Sequence, residues 1–188
     1  VGTIGSHLAL TLARMSVPFT MYDHDTIEAH NLATPAYTRR DIGAYKVEAI
    51  RRQCEAIGAE ELHTVAVAQL YAPDGSDVIV SCVDSIEARQ GIAQALIDEY
   101  RDGSFVAPII DGRVGAEQVE VYHYDNAYDW LADLPTQADT DPCGARFTAY
   151  TANICAGLMA NNIKRVLLAQ PLPKRILYDA VSSTFIKI

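Results

Sequence analysis

Residues 77 to 85 read Asp-Val-Ile-Val-Ser-Cys-Val-Asp-Ser, and this run decides the fold class. Val78-Ile79-Val80 is continuously apolar, the pattern of a parallel strand covered on both faces rather than a strand with one wet face. The sequence on either side alternates helix and strand. Downstream, Ile86 to Tyr100 reads as a helix and Phe105 to Ile110 as the next strand. Upstream, Leu62 to Val67 reads as a strand, and Ala44 to Ile57 places Val47, Ile50, Cys54 and Ile57 at helical spacing. Before that, a helix from Ser6 to Met15 leads into the apolar strand Pro18 to Tyr22, which ends at Asp23.

Toward the C-terminus the pattern changes. Glu117 to Tyr124 alternates, with Val119, Val121 and His123 on one side, as an antiparallel strand does. A Pro- and Asp-rich stretch from Asp125 to Pro142 reads as a loop. The long helix from Thr148 to Leu168 then presents Ile154, Leu158, Ile163, Val166 and Leu167 as its apolar face, and short strands follow at Arg175 to Tyr178 and Thr184 to Ile188. The expected fold is a doubly wound, Rossmann-like α/β sheet, mostly parallel with antiparallel strands toward the C-terminus.

The chain opens on Val1-Gly2-Thr3-Ile4-Gly5-Ser6, a turn entering a helix. A complete G-x-G-x-x-G would need another glycine immediately before Val1 and a buried strand before that. The expectation is therefore an N-terminally truncated domain over residues 1–188, lacking the first, central strand of its sheet.

Composition bounds the function. With 188 residues, 49% of them hydrophobic and 21% charged, the chain can bury one substantial core. A net charge of -9 argues against a nucleic-acid partner, whose phosphates call for clustered Lys and Arg. Phe147 to Gln170 is interrupted by Asn153, Asn161, Asn162, Lys164 and Arg165, too polar for hydrocarbon. The four cysteines, Cys54, Cys82, Cys143 and Cys155, are far apart and follow no signal peptide, which suits a reducing cytoplasm. The expectation is a soluble cytoplasmic protein.

In a doubly wound sheet ligands sit beyond the carboxyl ends of the strands, here near Gly2, Asp23, Asp84 and Asp111. Gly2 and Gly5 let backbone approach a phosphate, or pack closely, where a helix N-terminus favours anions. Asp23 stands where a carboxylate accepts hydrogen bonds from a ribose; a solvated acid within Asp23-His24-Asp25 is the plainer alternative. To this point a nicotinamide-dependent oxidoreductase fits as well as an ATP enzyme.

The run Asp23-His24-Asp25-Thr26-Ile27-Glu28-Ala29-His30-Asn31-Leu32, followed by Gly43-Ala44-Tyr45-Lys46, resembles the D-x-D-x-V-x-x-x-N-L and G-x-x-K elements of the ThiF/MoeB/HesA family. Val78 to Ser85 with Arg89 resembles that family's strand ending in C-x-D-N and the helix after it. Ile110 to Arg113, Val119 to Tyr122, Cys155 to Leu168 and Ile176 to Asp179 continue the likeness in order. The resemblance implies an adenylyltransferase: the C-terminal carboxylate of a small ubiquitin-like carrier protein attacks the α-phosphorus of ATP, and pyrophosphate leaves. It implies a nucleotide site of Gly2, Gly5, Asp23, Asp25, Asn31, Lys46 and Asp84, with Asp84 the Mg²⁺ ligand and Lys46 a point charge on the phosphates. It also implies a homodimer. Some relatives use a loop cysteine covalently, and Cys143, ahead of Arg146 and the long helix, is the candidate here.

Plainer roles stand beside these. Asp84 would cap the helix at Ser85, Asn31 would form a turn, and Arg89 and Arg113 would make surface ion pairs. The family arginine after Asn-Leu is replaced by Ala33-Thr34-Pro35, with Arg39 or Arg40 as its substitute. This replacement also motivates a catalytically inactive, scaffolding alternative. The two C-x-x-C pairs that hold zinc in many relatives are missing, so no zinc is expected.

Overall fold

A computed structural model describes residues 1–57, 64–101, 107–135 and 149–188. Leu62, Phe105 and Cys143, each named above, lie outside the described residues.

The strands form two sheets. In the first, β1 (Phe19–Tyr22) pairs in parallel with β2 (Thr64–Val67), Phe19 opposite Thr64. In the second, β3 (Ile79–Ser81) pairs in parallel with β4 (Ile109–Gly115), Ser81 opposite Asp111. Antiparallel strands β5 (Gln118–Tyr124), β6 (Arg175–Asp179) and β7 (Thr184–Lys187) complete it in the order β3-β4-β5-β6-β7. Parallel pairing early and antiparallel pairing late match the sequence pattern. Among the described residues nothing pairs with the free edge of β1 or of β3, and a cleft separates them.

Helices cover both faces of the larger sheet, and the alternation along β4 assigns them. Ile110 packs with Val119 and Val121 against α1 (Thr3–Arg14) and α5 (Ala149–Leu167). Ile109 faces the opposite way, into a cluster with Ile79, Ala93, Leu96 and Trp130 from β3, α3 (Ile86–Glu99) and α4 (Ala127–Asp133). A third cluster joins Ala9 and Ala13 of α1 to Met21 of β1 and to Val47, Ile50 and Cys54 of α2 (Lys46–Ala56). One helix, α1, thus serves two cores: Ile4, Leu8 and Leu12 in one, Ala9 and Ala13 in the other.

Three differences from the sequence expectations have local causes. The stretch expected as loop contains α4, a seven-residue helix started by Asn126, whose side chain accepts from the Asp129 amide at 2.9 Å. It is too short to show a period, and the fully buried Trp130 holds it. The buried face of α5 is rotated from the expected one. Ala152, Ala156 and Ala160 are buried with Cys155, Met159 and Ile163, while Leu167 is 50% exposed. Small residues let α5 lie close to α1, and bulky Ile154 and Leu158 flank that contact. Arg89, expected at the surface, is buried on Asp111. Among the described residues no helix is long and apolar enough to cross a membrane.

Candidate functional site

Among the described residues a gap runs between the unpaired edges of β1 and β3. Gly2, Gly5, Asp23, Asp25, Asn31, Lys46 and Asp84 all line it. Elements from both sheets therefore contribute, at the carboxyl ends of the parallel strands.

On the β1 side, the chain leaves the strand at Asp23 and turns at once. The Asp25 amide donates to Asp23 Oδ1 at 2.9 Å, and the Val1 backbone nitrogen donates to Oδ2. The Val1 carbonyl accepts from the buried Tyr37 hydroxyl, whose pKa burial and nearby Asp23 push upward. Helix α2 begins at Lys46, and its Nζ donates to Asp25 Oδ2 at 2.6 Å. This hydrogen bond holds the Asp25 carboxyl below the usual carboxylate range. Asp23, His24 and Asp25 bring three ligand atoms within 4.8 Å of one another, His24 and Asp25 being exposed.

The loop that follows is laced to α1. Asn31 Oδ1 accepts from the Glu28 amide at 2.9 Å and closes the 3-10 turn Ala29–Leu32, so the turn-forming role is real. The Asn31 side chain still borders the cleft. Thr34 is buried, with its hydroxyl 2.9 Å from that of Thr3 and its carbonyl 2.8 Å from His7 Nε2. The Ala36 amide donates to Ser6 Oγ at 3.0 Å. Arg39 and Arg40 are exposed and are not among the residues that border this space. Among the described residues the Lys and Arg side chains that do are Lys46, Arg89 and Arg113.

On the β3 side, Asp84 is exposed to the cleft. It does not cap α3: Ser85 does, its Oγ accepting from the Ala88 amide at 3.1 Å. Among the described residues no side chain engages the Asp84 carboxylate. Gly5 lies against this wall, a β-carbon there being 3.4 Å from Cys82 Cβ. Burial pushes the Cys82 thiol up to about 12, which makes it a poor nucleophile.

Asp111, the fourth strand-end acid, is fully buried and is not among the residues that border this space. It accepts from Arg89 Nε at 3.0 Å, Arg113 Nε at 2.9 Å and Trp130 Nε1 at 3.2 Å. The expected surface ion pairs are thus one buried network. The sequence does not reveal it because two of the three partners, Arg89 and Trp130, are 22 and 19 residues away, and Trp130 sits on a helix within the stretch expected as loop.

The ThiF family model matches residues 1–187. No curated protein sequence is significantly similar to the chain. Among solved structures, E. coli MccB with AMPCPP and MccA superposes at a TM-score of 0.71 with 18% identity, over 100% of this chain and 60% of that one. E. coli MccB with ATP gives 0.71 and 19%, again over 100% of this chain and 60% of that one. PaaA gives 0.69 and 17%, over 100% and 69%. The chain thus spans about 60% of the length of the MccB chains it resembles, and at these identities the likeness is one of fold.

Proposed function

The chain belongs to the ThiF family, and from that premise we propose that it carries the nucleotide site of an ATP-dependent adenylyltransferase. Its substrate in this reading is the C-terminal carboxylate of a small ubiquitin-like or sulfur-carrier protein. One observation carries the reading: seven candidate residues, from α1, α2 and the segments after β1 and β3, border one space, with a lysine on one side and, on the other, a carboxylate that no described side chain engages.

In the reaction, a carboxylate oxygen attacks the α-phosphorus, the bond from that phosphorus to the bridging oxygen breaks, and pyrophosphate carries away the electron pair. Positioning and electrostatics supply most of the catalysis in such transfers. The α1 N-terminus at Gly2 offers backbone amides to phosphate. Asp23 accepts from the ribose, and Asn31 hydrogen-bonds phosphate oxygen. Lys46 exchanges Asp25 for the triphosphate, a stronger anionic partner. Magnesium takes hard oxygen donors and few carboxylates, which Asp84 fits as an exposed, uncapped acid on the cleft wall. Mg²⁺ held there supplies charge neutralisation on the phosphates. Cys143 is the residue proposed for a covalent step, and a homodimer the assembly.

A peptide carboxylate is the second reading for the substrate, favoured by the likeness to MccB in complex with N-formylated MccA. The test is pyrophosphate–ATP exchange by the full-length protein with a candidate carrier ending in glycine, and separately with a short peptide. Exchange that depends on one of them identifies the substrate class. Stabilisation against heat by NAD and not by ATP would instead favour an oxidoreductase.

A further inference from the structure

We propose that Arg89 and Asp111 form a positioning pair that sets the turn between β3 and α3, and with it the Asp84 carboxylate, for the divalent cation accompanying a nucleoside triphosphate. The inference rests on the reading of Asp84 given above.

One guanidinium spans the strand and the turn. Arg89 Nε donates to Asp111 Oδ1 at 3.0 Å and NH2 to the Gly112 carbonyl at 3.3 Å, both on β4. NH1 of the same group donates to the Ser85 carbonyl at 3.4 Å. That carbonyl also accepts from the Arg89 amide at 3.3 Å, while Ser85 Oγ caps the helix. The residue next to Asp84 is therefore held by side chain and backbone together. The other Asp111 oxygen is held by Arg113 and Trp130, which leaves the carboxylate little freedom to turn.

Stability alone is a weak reason for this arrangement. Arg89 is 6% exposed and Asp111 fully buried, and taking two charges out of water costs about as much as their pairing returns, so apolar replacements are often neutral or better. What a rigid charged pair supplies is geometry: a fixed distance between β4 and the peptide that follows Asp84. Hydrogen-bonded partners behind a metal ligand have this effect, and losing one weakens metal binding by about 10–100-fold.

The experiment titrates Mg²⁺ into the full-length protein with ATP and reads nucleotide affinity by calorimetry, with EDTA as the zero-metal reference. Arg89→Lys keeps the charge and loses the fork. It is expected to shift the Mg²⁺ dependence about tenfold toward higher metal while leaving affinity in EDTA within about twofold of wild type. Trp130→Phe, which removes only the indole donor to Asp111, is expected to shift it in the same direction by less, and it serves if Arg89→Lys fails to fold. Asp84→Asn separates the two readings. If Asp84→Asn retains the wild-type Mg²⁺ dependence, the reading of Asp84 fails and the positioning role with it. If Asp84→Asn loses it while a folded Arg89→Lys, or Trp130→Phe where Arg89→Lys does not fold, titrates like wild type, the positioning proposal alone is overturned. A lower melting temperature with unchanged Mg²⁺ dependence is the signature of a purely structural pair, and it too overturns the proposal.

Discussion

Lys46 and Asp25 are joined twice: the ammonium donates to the carboxylate at 2.6 Å, and the Lys46 amide donates to the Asp25 carbonyl at 2.9 Å. The lysine is only 13% exposed and its partner 52%. A cation at the first position of α2 opposes the positive end of the helix dipole, and Asp25 offsets that cost in the absence of ligand. Lys46, proposed above to meet the triphosphate, is thus paired with Asp25.

This pair gives a pH prediction. The folded-state pKa of Asp25 lies below its ordinary value of 3.8, so the stability it contributes is present above that value and is lost as pH falls through the folded value. Asp25→Asn should be slightly less stable than wild type at pH 6, and the difference should close below about pH 4. The carboxylate is half exposed, so screening keeps the effect small and salt reduces it further. Thermal melts at pH 3 to 7 in low and high salt test it. A difference that grows on acidification contradicts the pairing.

Lys46→Ala and Asp84→Asn should each lower pyrophosphate exchange by about 10²–10³-fold, the scale for removing one preorganised electrostatic group. Both residues border the cleft rather than a core cluster, and far-UV spectra should match wild type. Exchange within about threefold of wild type in either variant would remove that residue from the site.

Gly112 is required for packing. A β-carbon there would lie 2.2 Å from Met159 Sδ and 3.1 Å from Cys155 Sγ. Both neighbours are fully buried, so the flexible end of Met159 can move aside only by repacking the core around it. Gly112→Ala should destabilise by about 1–3 kcal/mol. Adding Met159→Ala should cost less than the sum of the two single changes, a coupling that a double-mutant cycle measures directly.

Thiol reactivity separates the cysteines. Burial raises Cys54 to about 11 and Cys82 to about 12, and pushes Cys155 well upward. At pH 7.5 their thiolate fractions are on the order of one in a thousand or less, and iodoacetamide should modify them slowly until the protein unfolds. Cys143 is then the site expected to label first and to form a thiol-labile thioester adduct with the activated carrier. In that step the thiolate attacks the acyl carbon, a C–S bond forms and AMP leaves. Cys143→Ser should abolish the adduct and spare pyrophosphate exchange. Persistence of the adduct in that variant contradicts the assignment.

The fold was legible where periods are long. Val78-Ile79-Val80 and the spacing of Val47, Ile50 and Cys54 identified strand and helix correctly. The seven residues of α4 span two turns, and Trp130 contributes one apolar position, so no period could show. The candidate residues at strand ends could be named from the sequence because the same topology brings those ends beside one space. The role of Asp111 was not, because its sequence position matches Asp23 and Asp84, and only burial under Trp130 and Arg89 distinguishes it.

The separation of β1 from β3 bears on cooperativity. Among the described residues, β1, β2 and α2 meet the five-stranded sheet mainly through α1, whose Leu8 and Ala9 enter different clusters. Parts of a domain joined by few contacts can open with free energies below that of global unfolding. Amides of β2 and α2 should therefore exchange with solvent faster than those of β4 and β5. A nucleotide bound as proposed, at Asp23 and Lys46 on one side and Asp84 on the other, would link these openings, and ATP should then slow exchange in both at once.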